Sequence, residues 1–141
     1  MELLFTKMHG CGNDFVVIDN RNQQLELDKG EIRMICDRHY GIGCDQIVVM
    51  TSNNKSNVSA YALFWNSDGS VSATCGNATR CIASILFKET ETKTVNIETQ
   101  NGVIECHKKN NQLVSVNIGK PKISWNEIPL SCLLYTSDAA D

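Results

Sequence analysis

The chain has 141 residues, a formal net charge of −3 and 42% hydrophobic residues. That length predicts one domain with a modest core. The lack of a basic stripe argues against a nucleic-acid surface, which works through Lys and Arg on phosphates. No apolar run reaches the roughly 20 residues of a membrane-spanning helix.

Leu3 to Met8 reads as a first strand, and His9-Gly10-Cys11-Gly12-Asn13-Asp14 as a Gly-rich loop. Phe15-Val16-Val17-Ile18-Asp19 is a second strand, apolar without a break and therefore expected to be buried. Two strands joined by so tight a Gly/Asn loop predict a hairpin with an unusual backbone at its tip. Asp28 with Glu31 forms a capping box, predicting a helix to about His39 that buries Ile32, Ile35 and Cys36 and is terminated by Gly41-Ile42-Gly43. Gln46 to Met50 is a short strand, 52–57 a polar loop, Val58 to Trp65 a strand rich in β-formers, and 66–70 a turn cluster.

After Cys75, the residues Ala78, Cys81, Ile82, Ile85 and Leu86 recur at helical spacing, and Ala83 and Phe87 add apolar surface off that stripe. A helix apolar on most sides is a central one. Arg80, Ser84 and Lys88, four apart, leave it a narrow polar line. The last third is β: Val95 to Thr99 alternates, Asn101-Gly102 signals a hairpin, Val103 to Cys106 returns, and Leu113 to Ile118 follows a turn at 108–111 before Gly119-Lys120-Pro121. The expected fold class is α+β, a mostly antiparallel sheet curled around one buried helix.

Seven cysteines stand at 11, 36, 44, 75, 81, 106 and 132, with no Cys-x-x-Cys pair. That spacing disfavours metal and redox motifs, so no metal is expected. Cys36, Cys81 and Cys106 follow the apolar pattern and read as small buried hydrophobes. Cys75 differs. Cys75-Gly76-Asn77 opens the central helix, where free backbone N–H groups and the helix dipole favour a thiolate and also a bound carboxylate. A thiol beside a carboxylate cradle suits proton transfer at the α-carbon of an amino acid.

Asn and Gln recur beside turns in Gly12-Asn13-Asp14, Cys44-Asp45-Gln46 and Asn66-Ser67-Asp68-Gly69. Side-chain amides offer donors and acceptors without net charge, which suits a zwitterion; taken singly, each Asn also serves its turn. His9 and His39 adjoin Gly-rich turns, and His107 is expected on a solvent-facing strand position. A hydrolase pairing Cys75 with His9 or His39 would require their proximity.

The segments Lys7 to Phe15, Arg38 to Gln46, Phe64 to Ser70 and Cys75 to Cys81 closely resemble diaminopimelate epimerase, in the family's order and approximate spacing. The resemblance covers Met1 to about Pro121. It implies a cofactor-independent epimerase taking LL-diaminopimelate to the meso form, in lysine and peptidoglycan precursor synthesis. It also implies two cysteines working from opposite faces of the substrate. Cys75 matches the catalytic cysteine of the first lobe; the partner thiol belongs to a second lobe that this chain lacks, so the chain alone is expected to be inactive. Asn13, Gln46, Asn66, Gly76 and Asn77 match substrate-binding positions.

The family pattern is altered at Ala78 and Thr79, where Gly-Ala is more usual, and at Cys11 and Cys44, where Leu and Ala are common. Another amino-acid racemase of the same superfamily, or a non-catalytic lobe, is the alternative. The expected partner is a small amino-acid substrate, with no nucleic acid and no membrane. The full-length protein is expected in the cytoplasm, since Met1 to Phe5 lacks a signal peptide's basic flank, and a homodimer is its expected assembly. Residues 1–119 are expected to form the epimerase lobe and 120–131 to start the crossing to the second. Residues 132–141 continue no regular pattern and read as a translated sequencing adapter, a non-native tail.

Overall fold

A computed structural model describes residues 3–22, 24–121, 123, 124 and 127. β1 (Thr6–Gly10) and β2 (Asn13–Asp19) pair antiparallel through a two-residue turn. Cys11 and Gly12 take φ of 56° and 85°, the mirror-type turn whose twist matches a hairpin. Gly12 adopts it freely, whereas the side chain of Cys11 makes the left-handed region cost roughly 1–2 kcal/mol. The tip is thus the unusual backbone that its sequence predicts.

The first helix, α1 (Lys29–Cys36), starts on its capping box: Asp28 accepts the Glu31 N–H and Glu31 accepts the Asp28 N–H, both at 2.9 Å. It ends at Cys36, short of the expected His39. Asp37 is the reason, because its Oδ1 accepts the N–H groups of both His39 and Tyr40 at 2.7 Å. That side-chain turn competes with another helical turn. Ile35, expected to be buried, is only partly so.

The remaining elements are β3 (Gln46–Thr51), β4 (Ala60–Asn66), β5 (Val71–Ser72), α2 (Gly76–Glu89), β6 (Thr94–Thr99), β7 (Gly102–Lys108) and β8 (Val114–Val116). The sheet runs β1-β2-β3-β4-β6-β7-β8, with the unanticipated β5 pairing with β4. Consecutive strands pair antiparallel as hairpins. The two helices stand where this breaks: β2 pairs parallel with β3 across α1, and β4 parallel with β6 across α2. A parallel neighbour requires such a crossover. The sheet is therefore mostly antiparallel, as expected, but mixed at two seams.

Side-chain alternation sorts the core into two layers. Phe15 and Val17, Val48 and Met50, and Ala62 and Phe64 face Ala78, Cys81, Ile82 and Leu86 of α2. Val16, Ile18, Ile47 and Val49 face Ile32 and Cys36 of α1. Strands β2 and β3 are covered on both faces, which is why their sequences are unbroken apolar runs. The helix α2 packs against both edge strands, β1 and β8, as well as β2, β6 and β7. A sheet whose two edges meet one helix must curl around it, so α2 is the buried axis its all-round apolar surface predicts. No helix among the described residues is long and apolar enough to cross a membrane. The expectations for the tail at 132–141, and for most of the crossing at 120–131, fall outside the described residues.

Candidate active site

Cys75 is the N-cap residue of α2, with extended backbone (φ −148°, ψ 110°), and its side chain caps nothing. The sulfur is half-buried rather than lost in the core. The N–H groups of Gly76, Asn77 and Ala78 take no acceptor among the described residues, and the first turn carries no acidic side chain. These are the orphan donors of a helix start. Thr79 holds the cap from inside: its N–H and its hydroxyl reach the Cys75 carbonyl at 2.9 and 2.8 Å. Thr79 is fully buried, so this departure from the family pattern serves the helix start without introducing an unpaired hydroxyl.

The sheet brings the amides to the same end. Asn13 opens β2, Gln46 opens β3 in register with Phe15, and Asn66 closes β4 directly opposite Gln46. All three share the strand parity of the residues that pack on α2. The β1–β2 tip meets the start of α2, because Gly10, which pairs with Asn13, lies against Asn77. A Cβ on Gly10 would sit 3.0 Å from the Asn77 carbonyl oxygen, so the close approach favours glycine. The six sequence-predicted site residues, Asn13, Gln46, Asn66, Cys75, Gly76 and Asn77, thus gather at one end of the sheet and the helix it surrounds.

Their side chains are held. Asn13 Nδ2 donates to Asp45 Oδ2 at 2.9 Å. Gln46 Nε2 donates to Asn66 Oδ1 at 2.7 Å, and Asn66 Nδ2 to Ser70 Oγ at 2.9 Å. Asn77 Oδ1 accepts from Arg80 at 2.8 Å, so the polar line of α2 begins by bracing its own first turn. Gln46 Oε1 is buried with no partner among the described residues. A buried acceptor left unpaired costs about 1–3 kcal/mol, and a ligand donor would recover that cost.

An ionic brace supports the site, and it was not read from the sequence. The N–H of Asp14 donates to Asp45 and that of Asp45 to Asp14, at 3.1 and 3.0 Å, locking the starts of β2 and β3 together. Arg38 bridges both carboxylates, at 2.7 and 2.9 Å, and Lys7 reaches Asp14 at 2.7 Å. The available signal was four charged residues each within four positions of a glycine at a strand start or helix end. Arg38 first, and then Lys7, hold the Asp14 carboxyl well below the usual carboxylate range.

A depressed folded-state pKa means stability present above the unfolded value and lost as pH falls below it. The chain is accordingly expected to lose stability from about pH 4 downward, and Asp14→Asn to flatten that limb. Urea titrations between pH 7 and pH 3 measure this; equal acid slopes in the two proteins would refute it.

The other thiols are set apart by burial. Desolvation pushes Cys36 and Cys106 up to about 12 and Cys81 to about 11, as suits the buried hydrophobes their pattern predicts. Cys44 joins them in the core, 3.5 Å from Cys36 sulfur to sulfur, while Cys11 is exposed at the hairpin tip. His9 and His39 are exposed. His107 makes edge contacts with Thr94 and Glu105. Among the described residues no group of three His, Cys, Asp or Glu side chains is arranged to hold a metal ion.

This curled mixed α+β sheet around a central helix is a fold that recurs in solved structures. A hydroxyproline epimerase from Agrobacterium vitis superposes with a TM-score of 0.59 at 12% identity, over 79% of this chain and 40% of that one. Such identity speaks for the fold alone. The family is settled by sequence: the diaminopimelate epimerase family profile matches residues 5–124, and the chain belongs to that family. A diaminopimelate epimerase of Pelagibacter ubique (strain HTCC1062) is 46% identical over 138 residues, covering 98% of this chain and 49% of the relative. One from Acidiphilium cryptum (strain JF-5) is 44% identical over 127 residues, covering 90% and 45%. The chain spans about half the length of the curated relatives it matches.

Proposed function

We propose that this chain is one acid–base half of a cofactor-independent epimerase that interconverts LL- and meso-diaminopimelate. The observation that carries the reading is the half-buried Cys75 thiol at a helix start with three unclaimed N–H groups, facing a sheet end lined by amides.

The chemistry follows from what those groups can do. The α-proton of an amino acid is a very weak acid, so removing it demands stabilisation of the charge that flows toward the carboxylate. The N–H groups of Gly76, Asn77 and Ala78 are preorganised donors for that carboxylate, and one such donor is worth about 3 kcal/mol in a transition state. Cys75 stands beside them as the group that takes the α-proton or returns it. Asn13, Gln46 and Asn66 meet the polar remainder of the substrate. Inversion needs a second acid–base group on the opposite face, and the family's remaining length is where we place it. Two fixed groups avoid moving one base around the substrate. On this reading the full-length protein serves lysine and peptidoglycan precursor synthesis in the cytoplasm.

The test is LL-diaminopimelate in D2O. The complete protein is expected to produce the meso isomer with deuterium at the inverted carbon, and the 141-residue chain alone to produce none. Turnover of another amino acid in preference to diaminopimelate, or inversion by the chain alone, refutes the reading.

A further inference from the structure

An amide side chain is a donor at one end and an acceptor at the other, and its shape does not decide which end faces a ligand. At Gln46 the neighbours decide. The Asp68 carboxylate accepts the Ser70 N–H at 2.8 Å, and the Ser70 side chain beside it also favours the charged form. Those two contacts hold its carboxyl below the ordinary carboxylate range, so at neutral pH Asp68 can only accept.

The donors then run in one order along the chain of contacts. Asn66 Nδ2 donates to Ser70 Oγ at 2.9 Å, which leaves the hydroxyl proton of Ser70 free to turn toward the neighbouring Asp68 carboxylate. With Asn66 Nδ2 turned that way, Asn66 Oδ1 faces Gln46 and accepts from Gln46 Nε2. What remains at the end is Gln46 Oε1, buried and without a partner among the described residues. Were the order reversed, a buried N–H group would face the cleft instead. A second carboxylate orients Asn13 in the same sense, since Asn13 Nδ2 is tied to Asp45.

We propose that Asp68 and Ser70 are positioning residues that hold the Gln46 amide with its oxygen toward the cleft, where it accepts a hydrogen bond from an ammonium group of the substrate. This rests on the site being an amino-acid cleft as proposed above. The arrangement divides the labour by charge: the start of α2 offers N–H donors for a carboxylate, and the far end of the Asp68 relay offers an oxygen for a cation.

Neutron diffraction from perdeuterated crystals of the 141-residue chain reads the relay directly. Deuterons are expected on Ser70 Oγ toward Asp68, on Asn66 Nδ2 toward Ser70 and on Gln46 Nε2 toward Asn66. The reverse order overturns the proposal whatever the substrate is. In the complete protein, Ser70→Ala is expected to raise the KM for diaminopimelate about tenfold or more, the scale of a hydrogen bond to a charged group. The change in kcat is expected to be much smaller, and Ser70→Thr, which keeps the hydroxyl, to restore KM. A loss of kcat with KM unchanged, or no rescue by threonine, also overturns it. Absence of any diaminopimelate turnover in the unsubstituted protein, with the deuterons in the expected order, would instead overturn the proposed function and leave the relay standing.

Discussion

Cys75→Ala in the complete protein is expected to slow interconversion of LL- and meso-diaminopimelate by about 10³-fold, within the range a positioned acid–base group supplies. The loss should be asymmetric in a telling way. With Cys75 gone, the remaining acid–base group can still remove an α-proton on its own face and return one there. One stereoisomer is therefore expected to keep exchanging its α-hydrogen with D2O without inverting, while the other exchanges slowly. Mass spectrometry of the recovered isomers separates exchange from inversion. Equal loss of exchange from both isomers would mean that Cys75 does more than transfer a proton on one face. The fold should tolerate the change, because the side chain caps nothing and is only half-buried. A surface-like shift within about 0.5 kcal/mol is expected in urea.

Gly41→Ala is expected to act in the opposite manner, chiefly on stability. A Cβ at this position would stand 1.9 Å from the Met34 carbonyl oxygen and under 3 Å from those of Ile35 and Asp37. All three are backbone atoms at the end of α1, so no side-chain rotation relieves the clash. The chain there is also tied by the N–H of Gly41 to Asp37 and those of Ile42 and Gly43 to Ile35, each at 3.0 Å. Displacing it would strain the turn that delivers Arg38 and Asp45 to Asp14. A loss of about 3 kcal/mol or more is expected, read as a fall in the urea midpoint. The comparison is Gly102→Ala. Gly102 has φ of 113° but open space around its missing Cβ, so backbone strain of about 1–2 kcal/mol is all that should appear. Equal effects at the two glycines would mean that the turn after α1 yields more readily than its contacts imply.

Much of the fold is legible in the sequence because its signals are local. The capping box at Asp28 and Glu31, the tip at Cys11-Gly12, the Asn101-Gly102 hairpin and the apolar helix after Cys75 each depend on residues a few positions apart. The six proposed site residues were also legible, since they sit at strand ends and a helix start marked by glycine and turn residues. The early stop of α1 was not, because Asp37 could equally have stayed in a helix; its side chain's capture of His39 and Tyr40 decided otherwise. The two parallel seams were not legible either, because hairpin signals fix only neighbours in sequence.

By itself the sequence determined the family, the thiol that opens the central helix, and the unbroken apolar runs that fill both faces of β2 and β3. Only the tertiary structure decided which amide nitrogens are engaged and which amide oxygen is left without a partner among the described residues. That depends on Asp45 closing on Asn13, and on Asp68 working through Ser70 and Asn66 upon Gln46. Separations of up to 32 residues along the chain lie within these contacts. An amide's orientation is set by what stands at its two ends, and only the folded sheet brings those partners within hydrogen-bonding distance.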